Sequence, residues 1–152
     1  SPEAAVHALY GPLHFNTMPI TVHIDGSCVK TPYASAGAGV FWARGAAKNV
    51  SARVPGKQTN NRAELYAVLL CLLDSDPLRN LRIVTDSEYA IRLCCYGAPK
   101  AAERGWDNDL MLQDVVALLR ARLARTHFVW VKGHSRHDAN DAADALAKAG
   151  TS

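Results

Sequence analysis

The chain has 152 residues, of which 49% are apolar and 20% are charged, and its formal net charge is +3. This length suits one compact domain of ordinary globular composition and leaves no room for a second domain of similar size. The longest apolar run, residues 67–73, is far below the roughly 20 residues of a membrane-spanning helix, and the small positive charge fits a polyanionic partner without selecting one.

The N-terminal segment shows no hydrophobic periodicity. Pro2, Gly11, Pro12 and Pro19 are expected to break any regular element there, and the segment lacks the basic and apolar layout of a signal peptide. We therefore interpret residues 1–19 as a leader or linker and residues 20–150 as the functional domain. Because the chain does not begin with methionine, we expect it to be tethered to a larger polypeptide.

Three short strands are predicted after this segment. Residues 20–24 alternate apolar and polar side chains, and Asp25 and Gly26 are expected to end that strand. Residues 37–42 and 49–54 give two more strands, separated by a turn at Gly45. The short links between the three strands favour an antiparallel meander.

The second half of the chain alternates helices and strands. The predicted elements are a buried helix over 63–73, a strand over 81–85, a short helix from Ser87, a helix over 110–123, a strand over 126–131 and a terminal helix over 140–149. This order predicts an α/β fold: one mixed five-stranded sheet, with three antiparallel strands and then two parallel ones, and with helices on both faces.

The four cysteines do not suggest a disulfide framework, since Cys94 and Cys95 are adjacent and the others are isolated. A zinc site is also disfavoured, because His134 and His137 could supply one half of it but no Cys-x-x-Cys pair supplies the other. Reduced thiols indicate an intracellular protein. The sequence does not distinguish the nucleus, the cytoplasm and the mitochondrion.

Four acidic residues lie where predicted elements begin or end: Asp25, Glu64, Asp86 and Asp144. If the first and fourth strands are adjacent and parallel, the carboxyl ends that carry Asp25 and Asp86 are neighbours, where open α/β sheets place their sites. No lysine or arginine is an obvious partner for all four. Hard divalent cations, which prefer oxygen ligands, would neutralise such a cluster.

Each acidic residue also has a structural alternative. Asp25 with Gly26 could form a turn, and Asp144 could interact with the positive end of its helix dipole. Glu64 could close a capping box with Asn61, and Asp86 could cap the helix that starts at Ser87.

Four segments resemble the type 1 ribonuclease H family. They are Ile-Asp-Gly-Ser-Cys at 24–28, Thr-Asn-Asn-Arg-Ala-Glu-Leu at 59–65, Thr-Asp-Ser at 85–87, and Trp-Val-Lys-Gly-His at 130–134 followed by Asn-Asp-Ala-Ala-Asp at 140–144. The match runs in order over about residues 20–150. It implies a ribonuclease H-like fold and a ribonuclease H catalytic domain over those residues.

The resemblance implies a metal-dependent endoribonuclease that cuts the RNA strand of RNA/DNA hybrids. The four carboxylates would bind two Mg²⁺ ions, with Mn²⁺ as a substitute, on either side of the scissile phosphate, and the products would carry 5′-phosphate and 3′-hydroxyl ends. His134 matches a loop histidine that helps proton transfer or product release. The expected partner is the hybrid duplex, with no membrane, and the domain is expected to be monomeric.

The resemblance also implies nucleic-acid contacts. Cys28, Asn60, Asn61 and Asn140 match the family's contacts to the RNA 2′-hydroxyls and the minor groove, whereas Lys57 and Thr59 match a pocket for a phosphate of the DNA strand. Such contacts position the duplex with little base specificity. Plain helix capping is the alternative for residues 59–61.

Two departures from the family pattern stand out. Glu88 is acidic where relatives carry a neutral residue able to touch the substrate, which disfavours phosphate proximity. The lysine-rich protrusion of many relatives is missing from residues 96–109, although Trp106 fits the family. Fewer phosphate contacts predict modest and salt-sensitive affinity.

Three alternative functions remain at this point. The chain could be a ribonuclease H domain excised from a reverse transcriptase polyprotein. It could be a catalytically silent hybrid-binding module, although all four carboxylates are present. It could be a transposase or integrase of related fold, which is expected to lack the Thr-Asn-Asn-Arg-Ala-Glu block and the Gly-His loop.

Overall fold

The computed structural model describes residues 1–10, 18–97, 110–133 and 138–152. The strands are β1 Ile20–Val29, β2 Ser35–Phe41, β3 Val50–Arg53, β4 Leu81–Thr85 and β5 Thr126–Trp130. The helices are α1 Pro2–Tyr10, α2 Asn60–Asp74, α3 Glu88–Ile91, which continues as a π-helical segment Arg92–Gly97, α4 Leu110–Ala121 and α5 Asp138–Gly150. No helix within these ranges is long and apolar enough to cross a membrane.

The strands form one five-stranded sheet in the order β3-β2-β1-β4-β5. β1, β2 and β3 pair antiparallel as a meander, whereas β4 runs parallel to β1 and β5 runs parallel to β4. The predicted fold class is confirmed, including the adjacency of the first and fourth strands on which the argument for a shared site depends.

β1 is longer than predicted, and Asp25 with Gly26 does not form a turn. The strand continues to Val29 because residues 23–29 pair with β2 in antiparallel register, with Asp25 opposite Gly39. The parallel pairing with β4, in contrast, ends at His23 opposite Val84. Asp25 therefore lies inside the β1–β2 ladder but just beyond the end of the β1–β4 ladder, so no residue of β4 is paired with it.

The sheet is covered on both faces, with α2 and α5 packed against β1 and β2. Both helices approach the strands at glycines. A Cβ on Gly26 would lie 2.5 Å from the Glu64 backbone nitrogen of α2, and a Cβ on Gly39 would collide with the Ala143 carbonyl oxygen of α5. Between the sheet and the helices lie the largest fully buried apolar side chains: Leu65, Leu81, Ile83, Val22, Val40, Val54, Val68 and Val115.

The N-terminal segment contains a helix, so the expectation that its prolines break every element is wrong. Pro2 occupies the first position of α1, where its missing N–H would have no intrahelical partner. The Ser1 hydroxyl accepts a hydrogen bond from the Ala4 N–H at 3.1 Å, as an N-cap does. The interpretation of residues 1–19 as a leader or linker stays a prediction.

Gly39→Ala is expected to destabilise the protein by about 1–3 kcal/mol, because the added methyl group forces α5 away from the sheet. Urea unfolding followed by circular dichroism measures this change. An unfolding free energy equal to that of the wild type would show that α5 is not packed against β2 as closely as described.

Candidate metal centre

Asp25 and Asp86 lie side by side because β1 and β4 are parallel neighbours. The paired part of β1 ends at His23, and Asp86 comes directly after β4, which ends at Thr85. Asp86 does not cap α3, since the Ser87 hydroxyl performs that role by accepting a hydrogen bond from the Ala90 N–H at 3.0 Å. The capping alternative for Asp86 is therefore wrong.

Glu64 reaches the same point from α2. The helix begins at Asn60 with Thr59 as its N-cap, and the Thr59 hydroxyl accepts from the Arg62 N–H at 3.2 Å. Glu64 therefore lies beyond the capping positions, and the alternative of a capping box with Asn61 is wrong. The close approach of α2 to Gly26 brings the buried Glu64 side chain, which is only 5% exposed, beside Asp25.

Asp144 approaches from α5, on the other face of the sheet. Because α5 begins at Asp138, its first-turn acidic residues are Asp138 and Asp141, and the dipole explanation for Asp144 loses its basis. Asp144 pairs with Lys148 one turn later, at 2.9 Å between Oδ2 and Nζ, and its carboxyl group hydrogen-bonds that of Asp25.

The structure brings all four acidic residues to one cleft of about 470 Å³. One oxygen from each of Asp25, Glu64 and Asp86 lies within 4.8 Å of the other two. The convergence expected from the sequence is therefore observed, with Asp144 at the edge of the cluster. The ligand role of each residue stays a prediction.

Burial is the main electrostatic cost of this cluster. Burial raises the pKa of Glu64 from its ordinary value of 4.5 to about 9, and the charges of Asp25 and Asp86 add to the effect. Burial likewise raises the pKa of Asp25 from 3.8 to about 8, with further contributions from the Asp86 charge and the hydrogen bond to Asp144. Without a cation, the fold favours protonated carboxyl groups at this site.

The donor set fits a hard divalent cation. Glu64 Oε2 is buried and has no hydrogen-bond partner, which is costly for a carboxylate unless a positive charge neutralises it. The three clustered donors are all carboxylate oxygens, the type that Mg²⁺ prefers. A cation held by Asp25, Glu64 and Asp86 would satisfy the free Oε2 and offset the mutual repulsion of the three charges.

A second groove, of about 550 Å³, adjoins this cleft and shares Asn60 and Asn61 with it. Cys28 and Thr59, both predicted nucleic-acid contacts, also line this groove. Lys57 is exposed in the loop before α2 but does not line the groove itself. Its carbonyl oxygen accepts a hydrogen bond from Arg62 Nε at 2.9 Å.

Asn140 lies on the opposite side of the site, where a smaller cleft of about 30 Å³ also contains Asp25, Asp86 and Asp144. Thr59 serves both as the N-cap of α2 and as part of the groove wall, so capping does not exclude the predicted contact. His134, His137 and Trp106 fall outside the described residues.

Sequence reasoning missed two lysines that the structure places at these clefts. Lys30, at the end of β1, lines the groove beside Cys28, and Lys132 lines the smaller cleft. Lys30 could have been considered from the sequence, because it is a cation two positions after Cys28, a predicted nucleic-acid contact. Glu88, noted as a departure from the family pattern, borders the carboxylate cleft and is exposed.

All four cysteines are free thiols, as predicted. Burial raises the pKa of Cys71 and Cys94 to about 12, so these two thiols stay protonated and unreactive.

Comparison with known proteins gives a consistent result. Residues 17–152 match the family model of RNase H. Ribonuclease H1 of Homo sapiens is 31% identical over 141 residues, covering 86% of this chain and 49% of that protein. Ribonuclease H of Pseudomonas paraeruginosa is 30% identical over 137 residues, covering 86% of this chain and 92% of that protein. The chain thus spans about half of the human relative and most of the bacterial one.

The fold has a counterpart among solved structures. The crystal structure of LC9-RNase H1, described as a type 1 RNase H with the type 2 active-site motif, aligns with a TM-score of 0.67 and 23% identity. The alignment covers 90% of this chain and 74% of that chain. At this identity the likeness concerns the fold.

The raised pKa of Glu64 predicts a pH-dependent stability defect in the metal-free protein. A carboxyl group that titrates higher in the folded state stabilises the fold below its unfolded pKa of about 4.5, and this stability is lost as the pH rises towards about 9. Glu64→Gln removes the loss. Its melting temperature in EDTA is expected to match the wild type near pH 4.5 and to exceed it by roughly 2–8 °C at pH 9.

Glu88→Gln is the matched control, because that carboxylate borders the same cleft but is exposed; we expect little change. Adding Mg²⁺ is expected to raise the melting temperature of the wild type more at pH 8 than at pH 5, since cations bind the ionised carboxylates. An advantage of Glu64→Gln that is independent of pH would contradict the burial argument.

Proposed function

Because the chain belongs to the RNase H family, we propose that it is an endonuclease that hydrolyses the RNA strand of RNA/DNA hybrids by a two-metal-ion mechanism. The products would carry 5′-phosphate and 3′-hydroxyl ends. The observation that supports this proposal most directly is the convergence of three carboxylate oxygens within 4.8 Å at the end of the parallel strands, in a cleft that opens onto the groove of Asn60 and Asn61.

The chain's residues would divide the work between holding cations and placing the substrate. Asp25, Glu64, Asp86 and Asp144 would hold two Mg²⁺ ions, for which Mn²⁺ can substitute. When bound, such ions activate a water for in-line attack and stabilise the departing 3′ oxygen. The buried position of Glu64 and Asp25 excludes bulk water from one side of the site, so their charges act on bound groups with little screening.

Substrate selection would take place in the adjoining groove. Asn60 and Asn61 are exposed at the start of α2, where their amides can hydrogen-bond 2′-hydroxyls across the minor groove, the group that distinguishes RNA from DNA. Cys28 lines the same groove. Lys57 and Thr59, and in addition Lys30, would contact phosphates of the DNA strand and position the duplex without reading its sequence.

Some of the proposal concerns the wider context of the chain. We propose residues 20–150 as the catalytic domain, acting as a monomer inside cells, with residues 1–19 as a leader or linker. Because residues 1–19 contain helix α1, deleting them would test whether they are a leader or part of the domain. His134, which follows β5 closely, would assist proton transfer or product release. No observation favours the reverse transcriptase alternative, and the two named relatives are called ribonuclease H1 and ribonuclease H.

The decisive experiment compares labelled RNA/DNA, RNA/RNA and DNA/DNA duplexes incubated with the protein and Mg²⁺. Cleavage confined to the RNA strand of the hybrid is the expected result. Cleavage of DNA/DNA would instead indicate a transposase-like nuclease, and hybrid binding without any cleavage would indicate a silent binding module.

Asp25→Asn is expected to lower hybrid cleavage by at least roughly two orders of magnitude, because an amide is a poor replacement for a carboxylate that holds a metal. Hybrid binding in EDTA and the circular dichroism spectrum are expected to stay close to those of the wild type. Retained turnover in this variant would rule out the metal assignment.

Glu88→Gln is expected to tighten hybrid binding roughly two- to fivefold at low salt, since it removes a negative charge at the edge of the cleft. Fluorescence anisotropy over a salt series measures the effect, which is expected to fade at high salt. Unchanged affinity at low salt would mean that no phosphate passes close to Glu88.

A further inference from the structure

The end of β5 contacts the segment that carries Asp86. Trp130 is paired with Thr85 in the parallel ladder of β4 and β5, and the next residue, Val131, donates its backbone N–H to the Thr85 carbonyl at 3.0 Å. The Trp130 side chain reaches one residue further, where its indole N–H donates to the Asp86 carbonyl at 3.2 Å. β5 is therefore hydrogen-bonded to both residues at the carboxyl end of β4.

The residues that follow β5 also contact the Asp86 carboxylate. A Cβ built on Gly133 would lie 3.0 Å from Asp86 Oδ2, so the Gly133 backbone lies directly against that carboxylate. A Cβ at this position would require the Asp86 carboxylate to shift slightly from its present position. The Asp86 main chain is thus held by Trp130, and its side chain is bounded by Gly133.

Core packing does not account for this hydrogen bond. Trp130 is 48% exposed, so its ring gains only part of the free energy that burial would give. Its one polar atom nevertheless contacts the residue that bears a clustered carboxylate. Asp25, Glu64 and Asp86 can share a cation only while one oxygen of Asp86 stays within 4.8 Å of the other two, and these contacts would maintain that position.

We propose that Trp130 and Gly133 are positioning residues that fix Asp86 for divalent-cation binding. This inference rests on the proposed function of the carboxylate cluster as a metal site. Neither residue would touch the cation or the substrate. Trp130 would fix the position of the Asp86 backbone beyond the end of β4. Gly133 would restrict the directions in which the Asp86 carboxylate can point.

The test compares two identical substitutions. Trp130→Phe removes the N–H that bonds Asp86, whereas Trp42→Phe removes an indole N–H that is buried without a hydrogen-bond partner. Mn²⁺ alone is titrated into the full chain without substrate, and free Mn²⁺ is measured by electron paramagnetic resonance well below the melting temperature. We expect Trp130→Phe to weaken Mn²⁺ binding roughly tenfold and Trp42→Phe to leave it within about twofold of the wild type.

Hybrid cleavage separates a positioning role from a general structural one. In Trp130→Phe, the Mn²⁺ concentration for half-maximal cleavage is expected to rise with the metal dissociation constant, whereas kcat at saturating Mn²⁺ stays within roughly threefold of the wild type. A loss of kcat that no Mn²⁺ concentration restores would overturn the positioning role.

Gly133→Ala provides a second variant in case Trp130→Phe does not fold. It keeps the indole and adds a methyl group against Asp86 Oδ2, so Mn²⁺ binding is again expected to weaken. Wild-type Mn²⁺ affinity in a folded Trp130→Phe or Gly133→Ala protein would overturn this inference alone. A wild-type protein that binds no Mn²⁺ would overturn the proposed function as well.

Discussion

The site depends on the fold holding three acidic side chains, Asp25, Glu64 and Asp86, close together. Two carboxylates at the ends of parallel strands and a third on a buried helix are closer together than their charges favour, and two of them are largely removed from water. Side-chain contacts alone would not hold them there. The backbone does so, because α2 and α5 are packed against β1 and β2 at glycines with no room for a side chain. Moving the carboxylates apart would therefore require unpacking the core.

In the proposed function, this arrangement separates the carboxylates that would hold cations from the groups that would hold a substrate. The carboxylate cluster occupies the end of the sheet, and the polar groove begins at the start of α2, with Asn60 and Asn61 in both regions. Lys30 lines the groove beside Cys28, whereas Lys132 lines the smaller cleft together with Asp25, Asp86 and Asp144. In the proposed function, a duplex would approach over the amides of Asn60 and Asn61, and only the phosphate to be cut would come near the acidic centre.

Much of this fold was predictable because its signals are local. The alternation in residues 20–24, the β-branched runs and the helical spacing in residues 110–123 follow from side-chain periodicity, whereas the adjacency of β1 and β4 was a condition of the site argument that the sheet order satisfies. The continuation of β1 to Val29 was not predictable, since it depends on pairing with β2 across the sheet. The N-cap of α2 at Thr59 instead of Asn61 likewise depends on how the preceding loop approaches the helix.

Part of the site was likewise predictable from the sequence. The four carboxylates could be identified because the predicted elements placed each of them near an element end, although the structure keeps this only for Asp86, with Asp25 inside β1 and Asp144 beyond the first turn of α5. The hydrogen bond between Trp130 and the Asp86 backbone could not, because a tryptophan at the end of a strand is equally compatible with burial in the core. Lys30 was missed although it lies only two positions after Cys28, because its relation to the groove becomes clear only once α2 is placed beside β1.

The hydrogen bond from Trp130 also has a practical consequence. Indole fluorescence responds to hydrogen bonding and to nearby charge, and this ring is attached to the main chain of a clustered carboxylate while remaining half in solvent. One of the chain's three tryptophans is therefore joined to the candidate metal centre, and if cations bind there, its emission would be expected to change without a label and without a duplex.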